Sequence, residues 1–83
     1  MTITIRYFAS LREALGPGET LEPSTGQTLG QLRDALIERG GRHAEVLAHG
    51  RAIRSAIDQT MADASAPVPD GAEVAFFPPV TGG

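Results

Sequence analysis

Eighty-three residues make one small domain, able to bury roughly 60–65% of its unfolded surface around a single modest core. Ten acidic against seven basic residues, with a formal charge of −3, leave no basic footprint for nucleic acid or an anionic membrane. Cysteine is absent, which excludes disulfides, thiolate nucleophiles and cysteine metal sites; lysine is absent too, so the chain offers no side-chain amine for Schiff-base chemistry or for accepting an isopeptide bond.

The first segment, residues 2–8, alternates. Ile3, Ile5 and Tyr7 lie on one face and Thr4, Arg6 and Phe8 on the other, which predicts a half-buried strand. Residues 10–15 suit a helical turn closed by Gly16-Pro17-Gly18, and residues 20–22 a short second strand forming a hairpin with the first. Thr28 followed by Gln31 has the form of a capping box, so a helix begins at Leu29. Leu29, Leu32 and Leu36 share its inner face, and Arg33, Asp34, Glu38 and Arg39 sit mostly on the solvated side. Gly40-Gly41 stops it, because glycine readily takes the left-handed conformation past a helix end.

Residues 44–48 suit a short helix and residues 52–57 a strand with Ile53 and Ile57 inward. Asp58-Gln59 is a turn before a brief strand at 60–62, and Pro67-Val68-Pro69-Asp70-Gly71 is turn chemistry throughout. The last strand covers residues 73–77, with Val74 and Phe76 inward and Phe77 outward. The order is β-β-α-β-β, an α+β domain over 1–77 followed by an extended tail over 78–83. No apolar run approaches the roughly 18 residues of a membrane span, and residues 1–6 lack the order of a signal peptide, so the cytoplasm is the expected place.

The four aromatics form two pairs, Tyr7-Phe8 and Phe76-Phe77. Alternation turns one member of each pair inward and the other outward. With the two strands side by side, Phe8 and Phe77 make an exposed apolar patch, a mark of a protein-docking surface, and Met61 is assigned to the same interface. For Phe8 alone, cover by a loop or helix is an equal reading. The tail is the most telling segment. Pro78 and Pro79 favour a stiff polyproline course, and Val80, Thr81, Gly82 and Gly83 carry it on, six residues reaching roughly 20 Å. Gly82 and Gly83 have no Cβ and can enter a channel too narrow for side chains. A frayed end is the bland alternative. The joint occurrence of prolines, paired aromatics and glycines favours an arm that hands its terminal carboxylate to another protein.

The stretch Asp70-Gly71-Ala72-Glu73-Val74-Ala75-Phe76-Phe77-Pro78-Pro79-Val80-Thr81-Gly82-Gly83 resembles the ending of the molybdopterin branch of the ubiquitin-like MoaD/ThiS group, the small sulfur-carrier subunits of molybdopterin synthase. Tyr7-Phe8-Ala9-Ser10-Leu11-Arg12-Glu13 is similar to that group's strand-to-helix start, and Ala56-Ile57-Asp58-Gln59-Thr60 to its central hairpin. Asp58 stands where the group commonly has Asn, and Ala64-Ser65-Ala66 is blander than its usual sequence. The resemblance implies a β-grasp fold, a mixed sheet over one main helix with the first and last strands adjacent and parallel. It also implies partners: the large catalytic subunit of the synthase in a heterotetramer, an adenylating enzyme resembling the ubiquitin-activating class, and a sulfur donor protein.

A free α-carboxylate has a pKa of about 3.5 and is a poor electrophile at neutral pH. It reacts only once ATP has converted it to an acyl-adenylate. The chain has no Gly-x-x-x-x-Gly-Lys phosphate loop, so ATP is consumed by a partner and no cofactor is bound stably here. An amine attacking the adenylate gives a conjugate, and a sulfur donor gives a thiocarboxylate. The resemblance implies the second route, with Gly83 as the reacting residue and cyclic pyranopterin monophosphate as acceptor of the sulfur.

Other sites are weak. His43 and His49 are expected as solvated helix-end residues, not metal ligands. Asp58, Asp63 and Asp70 fall in turns, where Asp bonds the backbone. The domain alone is expected to catalyse nothing. Two further classes of function stay open: a carrier for another pathway, such as thiazole or secondary-metabolite formation, and a ubiquitin-like protein modifier or plain interaction module.

Overall fold

A computed structural model describes residues 2–22, 27–48 and 50–79. The chain runs β1 (Ile3–Tyr7), α1 (Ala9–Leu15), β2 (Gly18–Leu21), α2 (Leu29–Glu38), α3 (Gly41–Leu47), β3 (Arg54–Ile57), β4 (Thr60–Ala62) and β5 (Glu73–Phe77). The five strands form one mixed sheet in the order β2-β1-β5-β3-β4. β1 and β5 are parallel, with Ile5 opposite Val74 and Tyr7 opposite Phe76. β2 and β3 flank them as antiparallel neighbours.

The core follows from the alternation. Ile3, Ile5 and Tyr7 of β1 and Val74 and Phe76 of β5 are all buried. Leu29, Leu32 and Leu36 of α2 meet them, and Leu11 and Leu47 close the ends. Burying each of these large side chains contributes about 1.5–3 kcal/mol. α2 starts where its capping box stands: Thr28 Oγ1 accepts from Gln31 N, and Gln31 Oε1 accepts from Thr28 N at 2.9 Å. Ile53 and Ile57 pack against this core as expected.

Several boundaries differ from the sequence reading, each for a local reason. The turn at 10–15 is a full helix that begins at Ala9, whose φ of 53° bends the chain sharply out of β1. β2 starts at Gly18 rather than Thr20. A Cβ at Gly18 would lie 2.2 Å from the Ile5 carbonyl oxygen, so glycine allows this close approach and extends the hairpin. Gly40, at φ 75°, does end α2, yet Gly41 already opens α3. The two glycines make a corner between helices, not a loop. β3 begins at Arg54, two residues later than expected.

The β3–β4 turn carries Asp58 and Gln59 at φ 49° and 70°, both left-handed, as tight hairpins require. Asp58 has a second task. Its N–H donates to the Glu73 carbonyl at 2.8 Å and its Oδ1 accepts from Glu73 N at 2.9 Å, so the turn is tied to the start of β5. An Asp tolerates the left-handed region and accepts a hydrogen bond as an Asn would.

Candidate docking face and tail exit

One face of the sheet packs on α2 and the other is open. The register puts Arg6 of β1, Ala75 and Phe77 of β5, Arg54 and Ala56 of β3, and Met61 of β4 on the open side, and Phe8, the extended residue between β1 and α1, continues the alternation there. Phe8 is 40% exposed and Met61 55%, and these are the large hydrophobics left to solvent among the described residues. Phe77 is half-buried at the end of β5, opposite Arg54. Ala56 and Ala75 lie between the larger side chains and leave the face shallow. The Arg6 guanidinium sits 5.7 Å from the Phe8 ring centroid and 3.8 Å from the Glu73 carboxylate. Phe8 is therefore partly roofed by an arginine and otherwise left to solvent.

All three residues expected at the interface stand on this one face. Proximity on paper between Phe8 and Phe77 becomes real because β1 and β5 are parallel and ranked side by side, with Phe8 N donating to the Phe76 carbonyl at 3.2 Å. The tail leaves at the same end. Pro78 and Pro79 are half-buried. Val80, Thr81, Gly82 and Gly83, assigned to threading and reaction, lie outside the described residues.

Behind the exit is a polar anchor that sequence reasoning missed. Tyr7 OH donates to Glu19 Oε2 at 2.8 Å, His43 Nε2 lies 3.0 Å from the same oxygen, and Arg39 pairs with Oε1. Burial, together with the Glu19 carboxylate, pushes the Tyr7 phenol far above its ordinary range. Burial alone would raise Glu19 as well, but hydrogen bonds from Arg39, His43 and Tyr7 outweigh it and hold the carboxyl low. The Tyr7 ring stacks on Phe76 with centroids 6.4 Å apart, and His43 meets it edge-on at 6.3 Å. His43 is thus half-buried against Glu19 and is not a solvated helix-end residue. His49 lies outside the described residues. Residue type gave no signal for this cluster, because its members are 12 to 24 positions apart. Asp58 and Asp63 do bond the backbone as expected, Asp63 Oδ1 accepting from Ser65 N at 3.0 Å.

Residues 5–83 match the ThiS family. The chain belongs to that family. It is 38% identical over 81 residues to the molybdopterin synthase sulfur carrier subunit of Escherichia coli K12, covering 98% of this chain and 99% of that protein. Small archaeal modifier protein 1 of Haloferax volcanii superposes with a TM-score of 0.76 at 24% identity, over 95% of this chain and 98% of that one. In a protein–protein complex of subunits 1 and 2 of the molybdopterin-converting factor from Helicobacter pylori 26695, the matching chain superposes at a TM-score of 0.69 and 23% identity, over 100% of both chains. At such identities the two structures speak for the fold. It is the ubiquitin-like β-grasp, α+β, with the ThiS-family member's first and last strands at the sheet centre. Among the described residues, no helix is long and apolar enough to cross a membrane.

Proposed function

We propose that this ThiS-family chain is the sulfur-carrier subunit of a molybdopterin synthase, with the carboxyl group of Gly83 as the site of sulfur loading. The observation that carries the reading is the convergence at one end of the sheet. The strand bearing the tail is hydrogen-bonded on both sides and closes with Phe77, on the open face that also carries exposed Phe8 and Met61. A partner gripping that face receives the tail at a set place and direction. Similarity over 98% of the chain to a molybdopterin synthase sulfur carrier subunit supplies the chemistry.

The chemistry proceeds in three exchanges. A partner adenylating enzyme transfers AMP from ATP to the Gly83 carboxylate and releases pyrophosphate. A sulfur donor protein then delivers a persulfide whose terminal sulfur attacks the acyl carbon, AMP departs with the bonding pair, and a thiol reductant cleaves the resulting acyl disulfide, leaving the thiocarboxylate on Gly83 and a free thiol on the donor. The large synthase subunit, the second chain of a heterotetramer, brings cyclic pyranopterin monophosphate to that sulfur, and the tail returns as a carboxylate. Pro78 to Gly82 position the terminus, and the carrier contributes no side-chain catalyst. The chain lacks cysteine, and a thiocarboxylate makes one unnecessary.

Intact-mass measurement tests this directly. After incubation with the adenylating enzyme, ATP and a sulfur donor, the protein gains one oxygen-to-sulfur exchange, mapped to Gly83 by fragmentation. A gain mapped to an internal residue sinks the mechanism. Covalent attachment to other proteins without any sulfur gain points to a modifier.

A further inference from the structure

A cleft of about 420 Å3 lies between α2 and the β3–β4 hairpin, next to the tail exit. Its floor is apolar and firm: Leu29 and Phe76 are each 1% exposed, with half-buried Ile53 and Ala62 beside them. Its wall is tightly built. Gly30 N donates to the Ala64 carbonyl at 2.9 Å, and a Cβ on Gly30 would meet that oxygen at 3.2 Å. A hollow already held open costs little reorganisation when an apolar group fills it.

The rim is charged, and unevenly. Arg33 donates Nε to the Leu47 carbonyl at 2.7 Å and Nη2 to those of Ala48 and Arg51 at 2.6 and 3.1 Å. Neutral acceptors anchor this guanidinium without cancelling its charge, and the neighbouring Asp34 carboxylate acts on it electrostatically. Arg54 has no ion-pair partner among the described residues. The single carboxylate of the lining, Asp63, already accepts from Ser65 N and from Ser65 Oγ, the latter at 2.6 Å. A chain of formal charge −3 thus gathers two arginines around an apolar hollow. Met61 and Pro79 line it too, so the cleft is continuous with the open face and with the root of the tail.

The geometry points to this cleft as a second docking site, which takes an apolar side chain carried on an acidic segment of the large synthase subunit. The assignment rests on the carrier reading above, since Pro79, at the root of the tail that the large subunit receives, lines this hollow. Apolar contact in the hollow supplies affinity, and the arginine rim fixes the segment's register and rejects basic partners.

Calorimetric titration of the full chain with the large subunit, at low and high salt, tests it. Ala52→Trp fills the cleft from an exposed position, and Arg54→Glu inverts its rim at the edge that cleft and open face share. Thr20→Glu, exposed on the opposite edge strand, is the control. Amide NMR spectra establish that each variant folds. Both cleft variants are expected to weaken binding about tenfold or more, Arg54→Glu also flattening the salt dependence, while the control binds like the parent. Parent-like binding by Ala52→Trp overturns the site. Loss in Ala52→Trp without loss in Arg54→Glu overturns the acidic character of the segment, and loss confined to the adenylating enzyme overturns the partner. If Phe77→Ala weakens binding while both cleft variants do not, the cleft falls and the carrier reading stands. A parent protein that fails to bind the large subunit removes both.

Discussion

Phe77 sits where three structural facts meet: it closes β5, it faces outward, and Pro78 follows it at once. It is half-buried, so its ring keeps some contact with the sheet yet presents a surface to a partner. Phe77→Ala is expected to weaken partner binding by about 1–3 kcal/mol, as for an interface anchor, with a much smaller change in the thermal midpoint. Titration beside a melting curve checks both. Unfolding with intact affinity would reassign Phe77 to the core. The glycine pair makes a second expectation at this scale. In a channel shaped for bare backbone, a Cβ clashes or restricts φ, so Gly82→Ala folds like the parent, binds through Phe77 and turns over poorly in a synthase assay. Removing Gly83 stops the carboxylate about 3.5 Å short of its reaction partner and abolishes sulfur transfer. Full activity of the deletion variant would return the tail to a frayed end.

At the scale of elements, α2 is the piece whose beginning is written locally. Thr28 and Gln31 satisfy each other's backbone donors, and the flanking backbone adds to the join, with Leu29 N donating to Ala66 O at 3.0 Å and Val68 N to Gln27 O at 2.8 Å. Thr28→Ala removes the side-chain acceptor for Gln31 N and is expected to cost about 1 kcal/mol in urea unfolding, with the slope unchanged. Thr28→Ser restores most of that loss. A loss much larger than this would mean that the Thr28–Pro67 bridge, and not the cap, is what the substitution breaks.

Across the whole molecule, the Glu19 cluster links β1 and β2 to α3 and to Arg39 just past the end of α2. Its titration makes stability depend on pH at both ends. The Glu19 carboxyl is held below its ordinary 4.5, so its contribution is present above that value and disappears as pH falls through the folded one. The Tyr7 phenol is held above its ordinary 10.0, so its contribution is present below about 10 and fades as pH rises past it. Thermal melts are expected to show a plateau between these limits. Glu19→Gln should flatten the acid limb, and an acid limb unchanged in that variant would assign the loss to other carboxylates.

How much of this was legible beforehand differs by kind of information. Alternation in residues 2–8 and 73–77 and the capping box at Thr28 are local patterns, so the inner faces of β1, β5 and α2 were readable from spacing alone. Helix and strand ends were less readable: Gly18 belongs to a strand because the Ile5 carbonyl lies too close for any Cβ, and no neighbour in the chain reveals that. The parallel pairing of β1 with β5 joins residues about 70 positions apart and came only through resemblance to a family, since strand order is a choice among long-range contacts. The meeting of Tyr7, Glu19, Arg39 and His43, and the arginine-rimmed cleft beside Pro79, came from tertiary structure alone. Side-chain chemistry and periodicity are properties of the chain, and they determined which faces of β1, β5 and α2 are buried. Which surfaces lie next to Pro79 depends on loop closure and on packing α2 across the sheet, and only the folded molecule decides it.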